Sequence, residues 1–134
     1  MAQTPIGDPD TGTITKTAPG TVAETVSKLT RLVGDRGMKV FAIIDHSGEA
    51  AQQGLDLRDT KLVIFGSPAG GTPVMEASPL AALDLPLKVL IWDDNGHTRV
   101  SFTSPEVLAS RHHLPEELAS RLAGIGPLTD ALVS

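Results

Sequence analysis

The sequence predicts an α+β domain with a five-stranded, mostly antiparallel sheet and helices packed on one face. Three observations predict this class. Five segments are β-prone, one strongly amphipathic helical segment lies between the first and second of them, and short helical segments follow the last. A length of 134 residues corresponds to one domain. We assign residues 11–134 to that domain and residues 1–10, rich in Pro, Gly and Asp, to a flexible N-terminal arm.

The first elements are a short edge strand and a helix. Residues 13–17 (TITKT) alternate weakly and are β-prone. Thr21 and Glu24 fit a capping box, in which each side chain satisfies a free backbone N–H of the other residue. Apolar residues then recur at helical spacing as far as Val33, and Gly34 is suited to end this helix.

Four strands and several short helices follow. Asn95-Gly96 joins the last two strands as a hairpin, because both residues tolerate positive φ. Thr72 followed by Pro73 indicates a helix N-terminus between the second and third of these strands. The predicted strands are 38–45, 61–66, 87–92 and 99–102, and the predicted helices begin at 72, 105, 115 and 128.

Three of the strands carry apolar side chains on both faces. The segments KVFAIID, KLVIFG and LKVLIW show no alternation of apolar and polar residues. An antiparallel sheet with one solvated face alternates instead. Because a few short helices cannot cover both faces, we expect a second subunit or a sheltered pocket to cover the remainder, and we predict a homodimer.

Composition excludes several classes of function. A net charge of −5 argues against nucleic acid and anionic membranes as partners. The absence of cysteine excludes disulfides, thiolate metal sites and cysteine nucleophiles. The first residues lack the basic start and apolar run of a signal peptide, and the apolar runs are too short to span a bilayer, so a cytoplasmic protein is expected.

The segment IFGSPAGGTPVME, residues 64–76, joins a strand, a glycine-rich turn and a helix start. A phosphate-binding loop needs a Lys where Thr72 stands, and the dinucleotide motif GxGxxG is absent, so no cofactor is predicted. Two interpretations stay open: a structural turn, which we favour, and a weak anion or ligand contact at the helix N-terminus. Ser67, Gly71 and Thr72 would make that contact.

Asp45-His46 ends a strand and is the weak candidate for acid–base chemistry. Histidine titrates near neutral pH, but a histidine at the end of an apolar strand is more often structural. The four histidines show no HxH or HxxxH spacing, so no metal site is expected. They are His46, His97, His112 and His113.

Asp84 precedes a strand and either hydrogen-bonds its own turn or lies beside Ser67, if the GSP turn reaches the start of that strand. Met75 and Trp92 are candidate apolar contacts for a ligand. Two functions therefore remain: a non-catalytic module that binds a small ligand or a protein, and an enzyme that uses His46 or Asp45 with an anion held near Gly71-Thr72.

The motifs KVFAIIDH, LRDTKLVIFGSP, GTPVME and LDLPLKVLIW together resemble the bacterial family called domain of unknown function 302. The resemblance covers roughly residues 20–113. It implies an α+β fold of the TATA-binding-protein-like type, with element order β-α-β4-α and usually a dimer. It implies no biochemical activity, and the fold name implies no DNA binding.

Overall fold

The computed structural model describes residues 6–8 and 10–134. Their strands form one antiparallel sheet in the order β1-β2-β6-β5-β4-β3. The strands are β1 (Ile6–Asp8), β2 (Thr13–Ala18), β3 (Lys39–Asp45), β4 (Thr60–Gly66), β5 (Leu87–Asp94) and β6 (His97–Thr103). The α+β class and the antiparallel sheet are confirmed.

The sheet has six strands, so the predicted number of five is wrong. The additional strand, β1, lies within the stretch predicted to be a flexible arm, and Gly7 pairs with Ile14 of β2. Too few apolar residues precede position 11 to show a strand pattern. Backbone pairing with β2 forms this strand. Residues 1–5 and 9, the rest of that predicted arm, lie outside the described residues.

Six helices and one 3₁₀ turn complete the described part of the fold. The helices are α1 (Val22–Asp35), α2 (His46–Gln52), α3 (Pro68–Ala77), α4 (Pro105–Arg111), α5 (Glu116–Ala119) and α6 (Ile125–Val133), and the 3₁₀ turn is Pro79–Leu83. None of the helices in residues 10–134 combines the length and the apolar character that crossing a bilayer requires.

Helix α1 begins as the sequence predicts. The Thr21 hydroxyl oxygen accepts a hydrogen bond from the Glu24 N–H, and the Glu24 carboxylate accepts one from the Thr21 N–H. The helix ends later than predicted, because the residue in the left-handed conformation is Gly37, with φ of 72°, and not Gly34.

The core lies between one face of the sheet and the helices α1 and α6. Phe65, Ile91 and Leu128 are fully buried there, together with Leu29 and Leu132 of the two helices. Each of these side chains belongs to the apolar face of its element, so burial of that face drives the packing of helix on sheet.

The opposite face of the sheet, here called the open face, is also apolar. Cross-strand pairing places Ile44 opposite Leu62, and Leu62 opposite Leu90. Ile64 and Trp92 lie on the same face, and all of these side chains are partly exposed. The predicted apolar character of both faces is therefore present in the fold.

Strand β3 is the free edge of the sheet beside β4. Its side chains Phe41, Ile43 and Ile44 are 43%, 45% and 36% exposed. The opposite ends of the β3–β4 pair hold the two candidate turns, because Asp45 pairs with Lys61 while Lys39 pairs with Gly66. His46 and Ser67 therefore lie at opposite ends of the β3–β4 pair, as the predicted antiparallel arrangement requires.

Candidate functional site

A cavity of about 150 Å³ lies where the first turn of α3, directly after β4, meets the start of β5. Ser67 is the N-cap of α3, Gly71 lies within that helix, and Arg121 comes from the turn after α5. The apolar lining consists of Met38, Phe41, Pro68, Met75, Leu85, Pro86, Leu87 and Leu122. The chain thus places one predominantly apolar cavity at one end of the sheet.

Local backbone features open this space. The β3–β4 register shifts between Val40 and Ala42, so Phe41 sits in an irregularity of the strand and its ring lines the cavity. Bulges at sheet edges often redirect a side chain in this way. At Gly71, a Cβ atom would meet Met75 Cε at 3.8 Å, so a larger residue there would fill the cavity.

Helix α3 begins at Pro68, and not at Thr72 or Pro73 as predicted. The Ser67 hydroxyl oxygen caps the helix by accepting a hydrogen bond from the Gly70 N–H at 3.3 Å. Pro68 then occupies a first-turn position, where proline needs no hydrogen-bond partner. Thr72 is an exposed residue inside the helix, and the helix continues through Pro73. The predicted start was wrong because Gly70, Gly71 and Pro73 are residue types typical of loops rather than of helix interiors.

The predicted ligand residues divide into two groups. Ser67, Gly71 and Met75 meet in the cavity, whereas Thr72 and Trp92 do not line it. Trp92 belongs to the open face, where its indole N–H donates to Ser101 Oγ at 3.0 Å. The guanidinium of Arg58 lies 5.9 Å from the centre of the Trp92 ring.

Asp84 belongs to a separate polar cluster with α4. Its Oδ2 accepts hydrogen bonds from His112 Nε2 at 2.6 Å and from Arg111 at 3.0 Å. The structure therefore places Asp84 against α4 and not beside Ser67. Since an ionised carboxylate only accepts, His112 Nε2 carries the proton in this pair. Sequence analysis missed the pair because the two residues are 28 positions apart.

The pKa of Asp84 reflects opposing causes. Partial burial raises it, but the hydrogen bonds from His112 and Arg111 and the nearby positive charge outweigh burial, so the pKa lies below the ordinary value of 3.8. A depressed pKa in the folded state contributes stability above the unfolded-state value. That contribution is lost as the pH falls through the folded-state pKa.

We expect Asp84→Asn to lower the free energy of unfolding by about 1 kcal/mol at neutral pH, because a neutral amide accepts more weakly from two cationic or polar donors. The difference between wild type and variant should shrink as the pH falls below 3.8 and through the lower folded-state pKa of Asp84, where its carboxylate becomes neutral. Urea titrations at several pH values measure this difference. The control is Asp56→Asn, at an exposed loop position; equal curves for both variants would contradict the expectation.

Asp45 and His46 form the junction of β3 and α2. The Ser47 hydroxyl and the Gly48 N–H donate to the Asp45 carboxylate at 2.7 and 2.9 Å and hold its pKa below the ordinary value. Asp45 thus caps α2. His46 is exposed and does not line the cavity beside α3. It also does not line a separate cavity of about 230 Å³ beside Asp84.

Among the described residues, no group of three or more His, Asp or Glu side chains is arranged to hold a metal ion.

Arg121, the charged member of the cavity wall, was not predicted from the sequence. Its neighbour Leu122 is buried, and Arg121 itself is exposed. The sequence around Arg121, SRLAG, shows no local pattern beyond helical spacing. It therefore gives no indication that Arg121 lines the same cavity as residues 67–75.

Two Brucella proteins are similar in sequence to 106 residues of this chain. Fluoride-specific ion channel FluC 1 of Brucella suis biovar 1 (strain 1330) is 38% identical over 106 residues, which are 78% of this chain and 42% of the relative. The protein of the same name from Brucella abortus biovar 1 (strain 9-941) is 38% identical over 106 residues, 39% of its length. The chain therefore spans about two-fifths of these relatives.

A solved structure shares the fold. The crystal structure of an uncharacterized conserved protein DUF302 from Bacillus stearothermophilus superposes with a TM-score of 0.78 and 20% sequence identity. The match covers 91% of this chain and 95% of that one. The family model described as Domain of unknown function DUF302 matches residues 14–126. The resemblance drawn from the sequence motifs is thereby confirmed, and the chain belongs to the DUF302 family.

Proposed function

We propose that this domain is a non-catalytic binding module that holds a small, mainly apolar molecule in the cavity beside α3 and works as a homodimer. The observation that carries the proposal is the cavity itself. Most of its wall is aliphatic or aromatic, and its polar side chains are Ser67, the N-cap of α3, and Arg121. Ligand sites in proteins combine these two properties.

The size of the cavity indicates the size of the ligand. An apolar cavity of about 150 Å³ accommodates a molecule of the size of benzene, and the cavity beside α3 has that volume. Met38 and Met75 are flexible side chains that adapt to different shapes. A ring or a short branched chain fits this wall better than an extended polar metabolite does.

The homodimer is proposed to form through β3. An apolar edge strand with unpaired backbone groups is a template for pairing with another chain. Antiparallel pairing of two β3 strands about a two-fold axis also places the Lys39 end of each beside the Asp45 end of its partner. This charge complementarity favours a second copy of the same chain as the occupant of the edge.

The alternative, an enzyme using His46 or Asp45, has less support. Asp45 is occupied as the cap of α2, and His46 lies at the opposite end of β3 from the cavity wall formed by Met38 and Phe41. The channel activity in the names of the Brucella relatives belongs to proteins more than twice as long as the matched segment. No part of the proposal depends on that activity.

Binding of toluene tests the cavity. In a titration followed by amide chemical shifts, we expect saturable changes at Gly66, Gly70 and Gly71. Gly71→Leu should abolish them, because its side chain occupies the space next to Met75, while leucine is a better helix former than glycine.

The matched control is Thr72→Leu, which adds the same side chain one position along α3 at an exposed site. It should bind toluene as the wild type does. A wild-type protein that shows no saturable shifts, or a Gly71→Leu variant that binds normally, would overturn the proposed site.

A further inference from the structure

We infer that the cavity takes a small aromatic or short aliphatic carboxylic acid, with its carboxylate beside Arg121 and its apolar part beside Met75 and Leu87. This inference rests on the proposed function, because it requires the cavity to be a ligand site. It adds the chemical class of the ligand and the residue that selects it.

The charge of the cavity wall supports the choice of an anion. Arg121 is the charged side chain among the lining residues, and no Asp or Glu of the described residues lines the cavity. In the described part of the chain, no carboxylate lies within ion-pair distance of the Arg121 guanidinium. An Arg presents several N–H donors in a plane that matches a carboxylate.

A second donor lines the same cavity. The Ser67 hydroxyl oxygen accepts from the Gly70 N–H, and within residues 6–8 and 10–134 the Ser67 hydroxyl proton has no acceptor. It is therefore available to a bound anion. Ser67 also caps the 10-residue helix α3, whose N-terminal end favours negative charge.

The remaining wall supports an apolar body for the acid. Met75 of α3, Phe41 of β3 and Leu87 of β5 come from three different elements, and all three line the cavity. A fully hydrated anion such as sulfate would leave these groups in contact with water. A ring that carries one carboxylate covers the apolar wall and leaves its charged end at Arg121, which is exposed. Benzoate has this shape and suits the volume of about 150 Å³.

The test compares benzoate with toluene, which shares the ring and lacks the charge. We expect wild type to bind benzoate at least about tenfold more tightly than toluene at low ionic strength, because the ion pair adds to the same apolar contacts. Raising the salt concentration should weaken benzoate binding and leave toluene binding unchanged. Arg121→Gln should lose the preference for benzoate and keep its affinity for toluene.

Arg36→Gln is the matched control, since Arg36 is an exposed arginine at the end of α1 and does not line the cavity. It should keep the preference for benzoate. If toluene binds and benzoate binds no more tightly, or if Arg121→Gln keeps the preference, the acid ligand is excluded and the apolar module stands. If wild type binds neither compound, both proposals fail.

Discussion

Replacing Lys16 with alanine is expected to lower the free energy of unfolding by about 3 kcal/mol. Lys16 is 5% exposed, and its ammonium group reaches from β2 to α6. There it donates to Thr129 Oγ1 at 2.6 Å, Asp130 Oδ1 at 2.7 Å and the Gly126 carbonyl at 3.1 Å.

These contacts explain the size of the effect. The three donors of the ammonium group are all satisfied, and the group also lies 5.2 Å from the centre of the Phe102 ring. Removal leaves the Gly126 carbonyl without this partner and creates a void where the alkyl chain packed. Asp130 contributes less to the effect because its side chain is 69% exposed and regains water.

Urea denaturation followed by Trp92 fluorescence measures the loss at a fixed protein concentration. Lys16→Met separates charge from packing, since it retains much of the apolar stem; its stability should fall between that of wild type and Lys16→Ala. Arg31→Ala, an exposed position on α1, should change stability little. A Lys16→Ala variant as stable as Arg31→Ala would show that the ammonium contacts contribute nothing to stability.

Local pattern was enough to predict most of the fold. The capping box at Thr21 and the Asn95-Gly96 hairpin are determined by neighbouring residues, and both are present, with φ of 51° at Asn95 and 92° at Gly96. Strand β1 was not predictable in this way, because pairing with β2 determines it. The start of α3 was also predicted wrongly, because Ser67 and not Thr72 is the residue that caps this helix.

The candidate site was only partly predictable for a related reason. Ser67, Gly71 and Met75 belong to one continuous segment, so a turn-to-helix pattern finds all three. Arg121 reaches the cavity only because Leu122 anchors its turn in the interior. Asp84 meets His112 by the same kind of long-range packing. Contacts between distant segments depend on tertiary structure, which one sequence does not display.

Introducing a charge at Ile43 is expected to convert a dimer to a monomer. We expect wild type to sediment as a dimer at micromolar concentration and Ile43→Lys to weaken self-association at least about 100-fold, or roughly 2.7 kcal/mol. A two-fold interface contains the substitution twice, so two apolar contacts are lost and two like charges approach each other. Ile43 is 45% exposed in the single chain, so its replacement should leave the fold intact.

Three further variants decide whether β3 is the interface. Leu80→Lys changes a leucine that is 71% exposed on the 3₁₀ turn, and it should remain a dimer. Lys39→Glu places a carboxylate near the partner's Asp45 and should weaken the dimer more than Lys39→Gln does, with the difference shrinking at high salt. If two β3 strands pair antiparallel, Lys39→Glu must weaken the dimer more than Lys39→Gln does. A monomeric wild type would refute the homodimer, and a dimer that Leu80→Lys disrupts instead would move the interface away from the edge of the sheet.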